Sequence, residues 1–150
     1  MITSLNFAMI VLASIGFYYA GEQDLRTRTI KSAPAILLYL IASTLAFLNP
    51  SSLIGTSVLI VFTFCFIANQ QYKERTRFMG WGDAILFPVF VGLLTFMFPS
   101  VYGLCLCALP FVGTDLHKRI FKNDKNVGAP LMFYCAIVFI STVFYLFAVG

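Results

Sequence analysis

Charge is scarce in this sequence. Only 11% of its 150 residues are Asp, Glu, Lys or Arg, against about 25% in an ordinary soluble domain. With 60% hydrophobic and 17% aromatic residues, one small core cannot hide the apolar surface, and a water-soluble enzyme is excluded. Histidine occurs once, as His117, so no pair of imidazoles is available to hold a metal. None of the four cysteines, Cys65, Cys105, Cys107 and Cys135, forms a Cys-x-x-Cys pair in a loop. That excludes a zinc knuckle or a dithiol redox motif and leaves the cysteines as small packing residues within apolar runs. No basic residue precedes the first apolar run, so a retained first helix is expected rather than a cleaved signal peptide. Internal repeats and low-complexity tracts are also missing.

Six apolar runs remain, at 3–20, 33–49, 52–68, 84–98, 100–114 and 129–149. Each approaches the ~20 residues that a helix needs to cross the hydrocarbon core of a bilayer, the fourth and fifth being the shortest. The expected architecture is an all-α membrane protein, a single domain over 1–150 built as a bundle of about six transmembrane helices. Pro88 and Pro110 fall inside predicted helices, where neighbouring segments can re-satisfy the backbone groups that proline frees.

The connections are of two kinds. Asn49-Pro50-Ser51-Ser52 and Phe98-Pro99-Ser100 are short and uncharged. The other three contain all ten basic residues: Arg26, Arg28 and Lys31; Lys73, Arg75 and Arg77; Lys118, Arg119, Lys122 and Lys125. Alternate connections share a side, so the positive-inside rule puts these three in the cytoplasm and both termini outside. The net charge of +4 therefore marks membrane orientation and contact with anionic lipid headgroups, not a basic face for nucleic acid.

All six acidic residues, Glu22, Asp24, Glu74, Asp83, Asp115 and Asp124, fall on that same side. Glu74 and Asp124 sit among basic residues as solvated loop charges. Asp83 stands behind two glycines, in Gly80-Trp81-Gly82-Asp83, where a charged loop meets an apolar run. One reading makes it a cap for the helix it begins. Asp24 follows the first run, at the negative end of its dipole, and reads alone as a solvated residue paired with Arg26 or Arg28.

Taken together the two aspartates suggest chemistry, because an ionisable group at a membrane helix mouth is costly and is a functional hypothesis by default. Two carboxylates brought close share one proton, since both cannot easily ionise. Such a pair can activate water at one group and protonate a carbonyl at the other. Gly80 and Gly82, lacking Cβ atoms, let the backbone bend or approach an extended substrate. Trp81 suits an interfacial anchor, and Asp115, at another helix end, is a third candidate carboxylate.

These residues resemble the type IV prepilin peptidases, intramembrane aspartic proteases of the GxGD class, and the related preflagellin peptidases. Gly80-Trp81-Gly82-Asp83 matches their Gly-x-Gly-Asp motif. Asp24-Leu25-Arg26-Thr27-Arg28-Thr29-Ile30 is similar to their first-aspartate stretch, and Val127-Gly128-Ala129-Pro130 is a weaker echo of the start of their last helix. Where the family continues with Ile-Pro-Asn, this chain has Ile30, Lys31 and Ser32, with Pro34 displaced.

The resemblance implies that Asp24 and Asp83 are the catalytic pair, supported by Gly80, Gly82 and Arg26, with no metal and no cofactor. Arg26 either holds Asp24 or touches substrate on one reading, and sets topology on the other. The implied activity is removal of the short basic leader from prepilin-like precursors at the cytoplasmic face of the inner membrane. No counterpart of the family's N-terminal methyltransferase region is seen, so cleavage without N-methylation is expected. Two alternatives keep the membrane bundle: a non-catalytic subunit of a pilus or secretion assembly, and a small proton-coupled transporter. A transporter calls for acidic residues near the bilayer midplane, whereas here they all lie at one edge.

Overall fold

An apolar run can leave water only if its backbone N–H and C=O groups are paired, and a helix pairs them within the run itself. The computed structural model describes residues 4–27, 30–49, 81–98, 101–121 and 130–149. Among the described residues there are five α-helices and no strand. These are α1 (Ser4–Thr27), α2 (Ser32–Leu48), α3 (Trp81–Met97), α4 (Val101–Ile120) and α5 (Leu131–Val149). The apolar run at 52–68 and the basic stretch that follows it lie outside the described residues. Pro88 and Pro110 are inside α3 and α4, as expected.

Two helices are longer than the apolar runs that mark them. α1 continues to Thr27 rather than ending near 20, carried by an Arg26–Glu22 ion pair at 2.8 Å one turn apart. α4 continues past 114 to Ile120, where Arg119 meets Asp115 at 2.8 Å in the same i,i+4 geometry. His117, Lys118 and Arg119 occupy its last turn, the end of the dipole that favours cations. Hydropathy marks where a chain is apolar, and these charged turns are helical for a different reason.

α1 packs most extensively on α5, then on α2; α5 also packs on α4, and α3 touches α2, α4 and α5. The centre is aromatic. Phe17 of α1 lies 4.6 Å from Phe139 of α5 and 5.9 Å from Phe90 of α3, ring centre to ring centre, and Phe87 of α3 lies 5.2 Å from Phe111 of α4. Around it Ile10, Leu38, Leu45, Leu86, Leu93 and Met132 are fully buried.

The outward faces are apolar as well. Leu40, Phe47, Tyr102, Leu104, Phe144 and Phe147 are all exposed. A helix that is apolar all round belongs in a large core or a bilayer. α1 and α5 are long and apolar enough to cross a membrane, and α2 and the 86–97 part of α3 are shorter apolar helices.

Side-chain contacts fix which helix ends lie together. Asp24 near the end of α1 reaches Met132 at the start of α5, and His117 near the end of α4 reaches Tyr134 there. At the opposite end Asn6 pairs with Asn49 beyond α2, and Phe7 stacks on Phe147 near the end of α5. The acidic and basic residues of α1 and α4 thus gather at one end, and the amides at the other.

Candidate active site

On α1 the buried positions Asn6, Ile10, Ala13, Phe17, Ala20 and Asp24 recur every three or four residues. This is the spacing of one helix face, and it carries the core stripe past the apolar run into the charged turns. Asp24 is consequently an inward-facing residue, 7% exposed, while Arg26 and Glu22 face away from it. The pattern is visible in the sequence only when the stripe is followed beyond residue 20.

What receives the carboxylate is the start of α5. Asp24 Oδ2 accepts a 2.9 Å hydrogen bond from the backbone N–H of Met132, the second residue of that helix. First-turn N–H groups have no partner within their own helix, and the N-terminus carries partial positive charge. Asp24 therefore caps α5 from another helix. It lies at the negative end of the α1 dipole, as expected, but it is buried rather than solvated and meets the positive end of α5. Pro130, just ahead of α5, fits the preference for proline where a helix begins.

The arrangement requires α1 and α5 to touch. A Cβ on Gly21 would lie 2.8 Å from the Ala136 Cβ and 3.2 Å from the Met132 carbonyl oxygen. Glycine at 21 is what lets the backbones approach closely enough for Asp24 to reach its donor.

Asp83 lies in the first turn of α3 and is partly buried. This position favours a carboxylate by the dipole of its own helix. Asp83 and Asp24 both lie within electrostatic range of the Cys135 thiol of α5, which is completely buried. Two aspartates from two helices thus act on one residue of a third. Cys107 reaches the same thiol's surroundings and donates to the Gly103 carbonyl at 3.1 Å.

The remaining expected site residues divide. Gly82 is on the first turn of α3. Gly80 lies outside the described residues, as do Arg28 and the side chain of Trp81. Arg26 is paired with Glu22 and its side chain is 73% exposed, so the described anchor of Asp24 is the Met132 amide and not this guanidinium. Asp115 is paired with Arg119 on the surface of α4. His117 Nδ1 is 3.1 Å from the Tyr134 hydroxyl. Among the described residues no three His, Cys, Asp or Glu side chains come together as a metal site requires.

A groove of about 450 Å³ runs between α1 and α5, with Tyr18, Gly21, Leu25, Phe133 and Ile137 in its walls and Glu22 and Arg26 at its charged end. Asp24 faces the other side of α1. No family model, curated protein or solved structure matches the chain.

Proposed function

We propose that the chain is an intramembrane aspartic endopeptidase of the prepilin-peptidase kind. It would span the inner membrane with six helices, its termini outside and its charged helix ends in the cytoplasm. The observation that carries the reading is that Asp24 and Asp83, from two different helices, both act electrostatically on the Cys135 thiol, at the end of the bundle where the charged turns gather. The Gly80-Trp81-Gly82-Asp83 and Asp24-Leu25-Arg26 motifs and the apolar outer faces support it.

The reaction is peptide hydrolysis by two carboxyl groups that share a proton. The ionised member takes a proton from water as the oxygen adds to the scissile carbonyl carbon. The protonated member gives its proton to the carbonyl oxygen. The tetrahedral adduct then collapses with cleavage of C–N: the departing amine takes the proton gained from water by the first carboxyl group, and a hydroxyl of the adduct returns a proton to the second as the new carboxyl forms. The two roles belong to the pair, because coupled groups titrate as a unit. The substrate is a precursor whose short basic leader lies along the cytoplasmic surface and whose apolar helix rests against the bundle.

One observation favours a second reading. A carboxylate capping α5 is also a structural device, and a non-catalytic membrane subunit could use Asp24 for that alone. Asparagine separates the two, because it caps about as well as aspartate but cannot serve as general acid or base. Co-expression with an epitope-tagged prepilin, comparing wild type with Asp24→Asn and Asp83→Asn at matched membrane abundance, is the test. Full-length precursor with both variants and shortened precursor with wild type supports the peptidase. Continued cleavage by both variants sinks it.

A further inference from the structure

The first turn of α5 supplies the donor for Asp24, yet its own closure is weak: Tyr134 N–H reaches the Pro130 carbonyl at 3.4 Å, near the limit of a useful hydrogen bond. Something else must hold that turn. On the side away from Asp24, α4 presents a notch at Gly113, where any Cβ would collide with the Tyr134 ring. One turn further along α4, His117 Nδ1 meets the Tyr134 hydroxyl at 3.1 Å. The His117 ring also packs on Phe121, centres 4.6 Å apart, which limits its rotation.

We propose that Tyr134 and His117 are positioning residues for Asp24: they clamp the first turn of α5 from α4 so that the Met132 N–H is presented to the carboxylate from α1. Their catalytic consequence rests on the peptidase reading; their mechanical consequence does not. A tyrosine hydroxyl can donate or accept, so the bond forms with either tautomer of the imidazole and with the imidazolium. The pair is a fixed latch. Gly113 sets its depth by admitting the ring, and the hydroxyl sets its angle.

Hydrogen–deuterium exchange of the full-length protein in detergent, resolved to the amides of residues 131–134, tests the clamp without reference to activity. Tyr134→Phe keeps the ring in the notch and removes only the hydroxyl. His117→Leu removes the partner, and His117→Asn restores a polar atom near the place of Nδ1. Loss of one hydrogen bond corresponds to roughly two- to tenfold, so Met132 exchange rises by about that factor in Tyr134→Phe and His117→Leu. It returns toward wild type in His117→Asn, and the double variant Tyr134→Phe/His117→Leu is no worse than either single one. Amides near Asn6 keep their wild-type rates throughout. Unchanged Met132 exchange in Tyr134→Phe overturns the proposal, as does a rise spread evenly over all helices. Prepilin cleavage by the same variants is the second arm. A drop in kcat with KM held, once the exchange result is positive, extends the clamp to catalysis. Positive exchange without any cleavage by wild type leaves the clamp standing and removes the peptidase reading.

Discussion

The two ends of α1 solve the same problem differently. At one end the buried Asn6 side chain donates to Asn49 Oδ1 at 3.1 Å and accepts from Asn49 Nδ2 at 3.3 Å. Asn49 Nδ2 also donates to the Leu45 carbonyl at 2.9 Å. At the other end Asp24 accepts from the Met132 backbone. Each end joins helices through one buried polar side chain of α1. The amide pair is neutral, reciprocal and unable to change protonation, so it is a fastener. The carboxylate is the costly choice for a fastener, since a buried charge needs compensation that a buried amide does not. The proposed chemistry at the second end would account for a helix that uses the cheap solution at one end and the expensive one at the other.

The largest effect expected from breaking this comparison is on cleavage. Asp24→Asn makes the two ends alike in chemistry while keeping the cap. Prepilin processing should fall by roughly 10²- to 10⁴-fold, while thermal unfolding of the detergent-solubilised protein stays within about 1 kcal/mol of wild type. Asp24→Leu removes the acceptor too, leaves the Met132 N–H unpaired, and should cost about 1–3 kcal/mol more. A loss of processing that tracks only the loss of stability across the two variants would make both ends fasteners.

Next in size is the approach of the helices themselves. Gly21→Val introduces atoms where a Cβ alone would already stand 2.8 Å from Ala136. Overpacking of this kind costs about 1–3 kcal/mol. It should also pull Asp24 from its donor, so activity per folded molecule falls together with stability. Ile15→Val, exposed on the same helix, is the control and should change neither.

Much of this arrangement was legible before any coordinates. The apolar runs locate the five described helices, the prolines fall inside helices as expected, and Asp24 and Asp83 stand out as acidic residues beside apolar segments. Partners were not legible. Met132 is 108 residues from Asp24, and Asn49 is 43 from Asn6. Periodicity names the face that a residue shares but not the helix that will cover it. The helix ends lie beyond the apolar runs where charged turns follow, because hydropathy drops at Glu22 and Asp115 while the hydrogen-bonded ladder continues. Nothing around His117 in the sequence marks its contact, since the tyrosine it meets comes from another helix.

The amide end should respond in the opposite sense to the carboxylate end. Asn6→Leu leaves the half-buried Asn49 without its reciprocal partner on α1 and should cost about 0.5–2 kcal/mol, membrane helix pairs lying at the lower part of that range. Cleavage per folded molecule should stay at the wild-type level. In the double variant Asn6→Leu/Asn49→Leu both members of the reciprocal pair are gone, and part of the loss should return, because neither amide is left facing an apolar replacement of the other. Failure of the double variant to recover would mean that Asn49 is needed by the Leu45 carbonyl more than by Asn6.

The smallest effect belongs to the exposed pair beside Asp24. Glu22 and Arg26 are 2.8 Å apart, with side chains 33% and 73% exposed, and such i,i+4 pairs contribute about 0.2–0.5 kcal/mol to a helix. Glu22→Gln should therefore change stability by no more than that and leave cleavage intact. Arg26→Gln removes the same ion pair and should have the same small thermal effect, so the two variants are matched in what they do to the fold. Any difference between them in processing is then a property of the guanidinium alone. If Arg26→Gln raises the KM for prepilin several-fold while Glu22→Gln does not, Arg26 meets the substrate. Equal, near-wild-type kinetics would leave the buried face of α1, among its described residues, as the part of this end on which the proposed function rests.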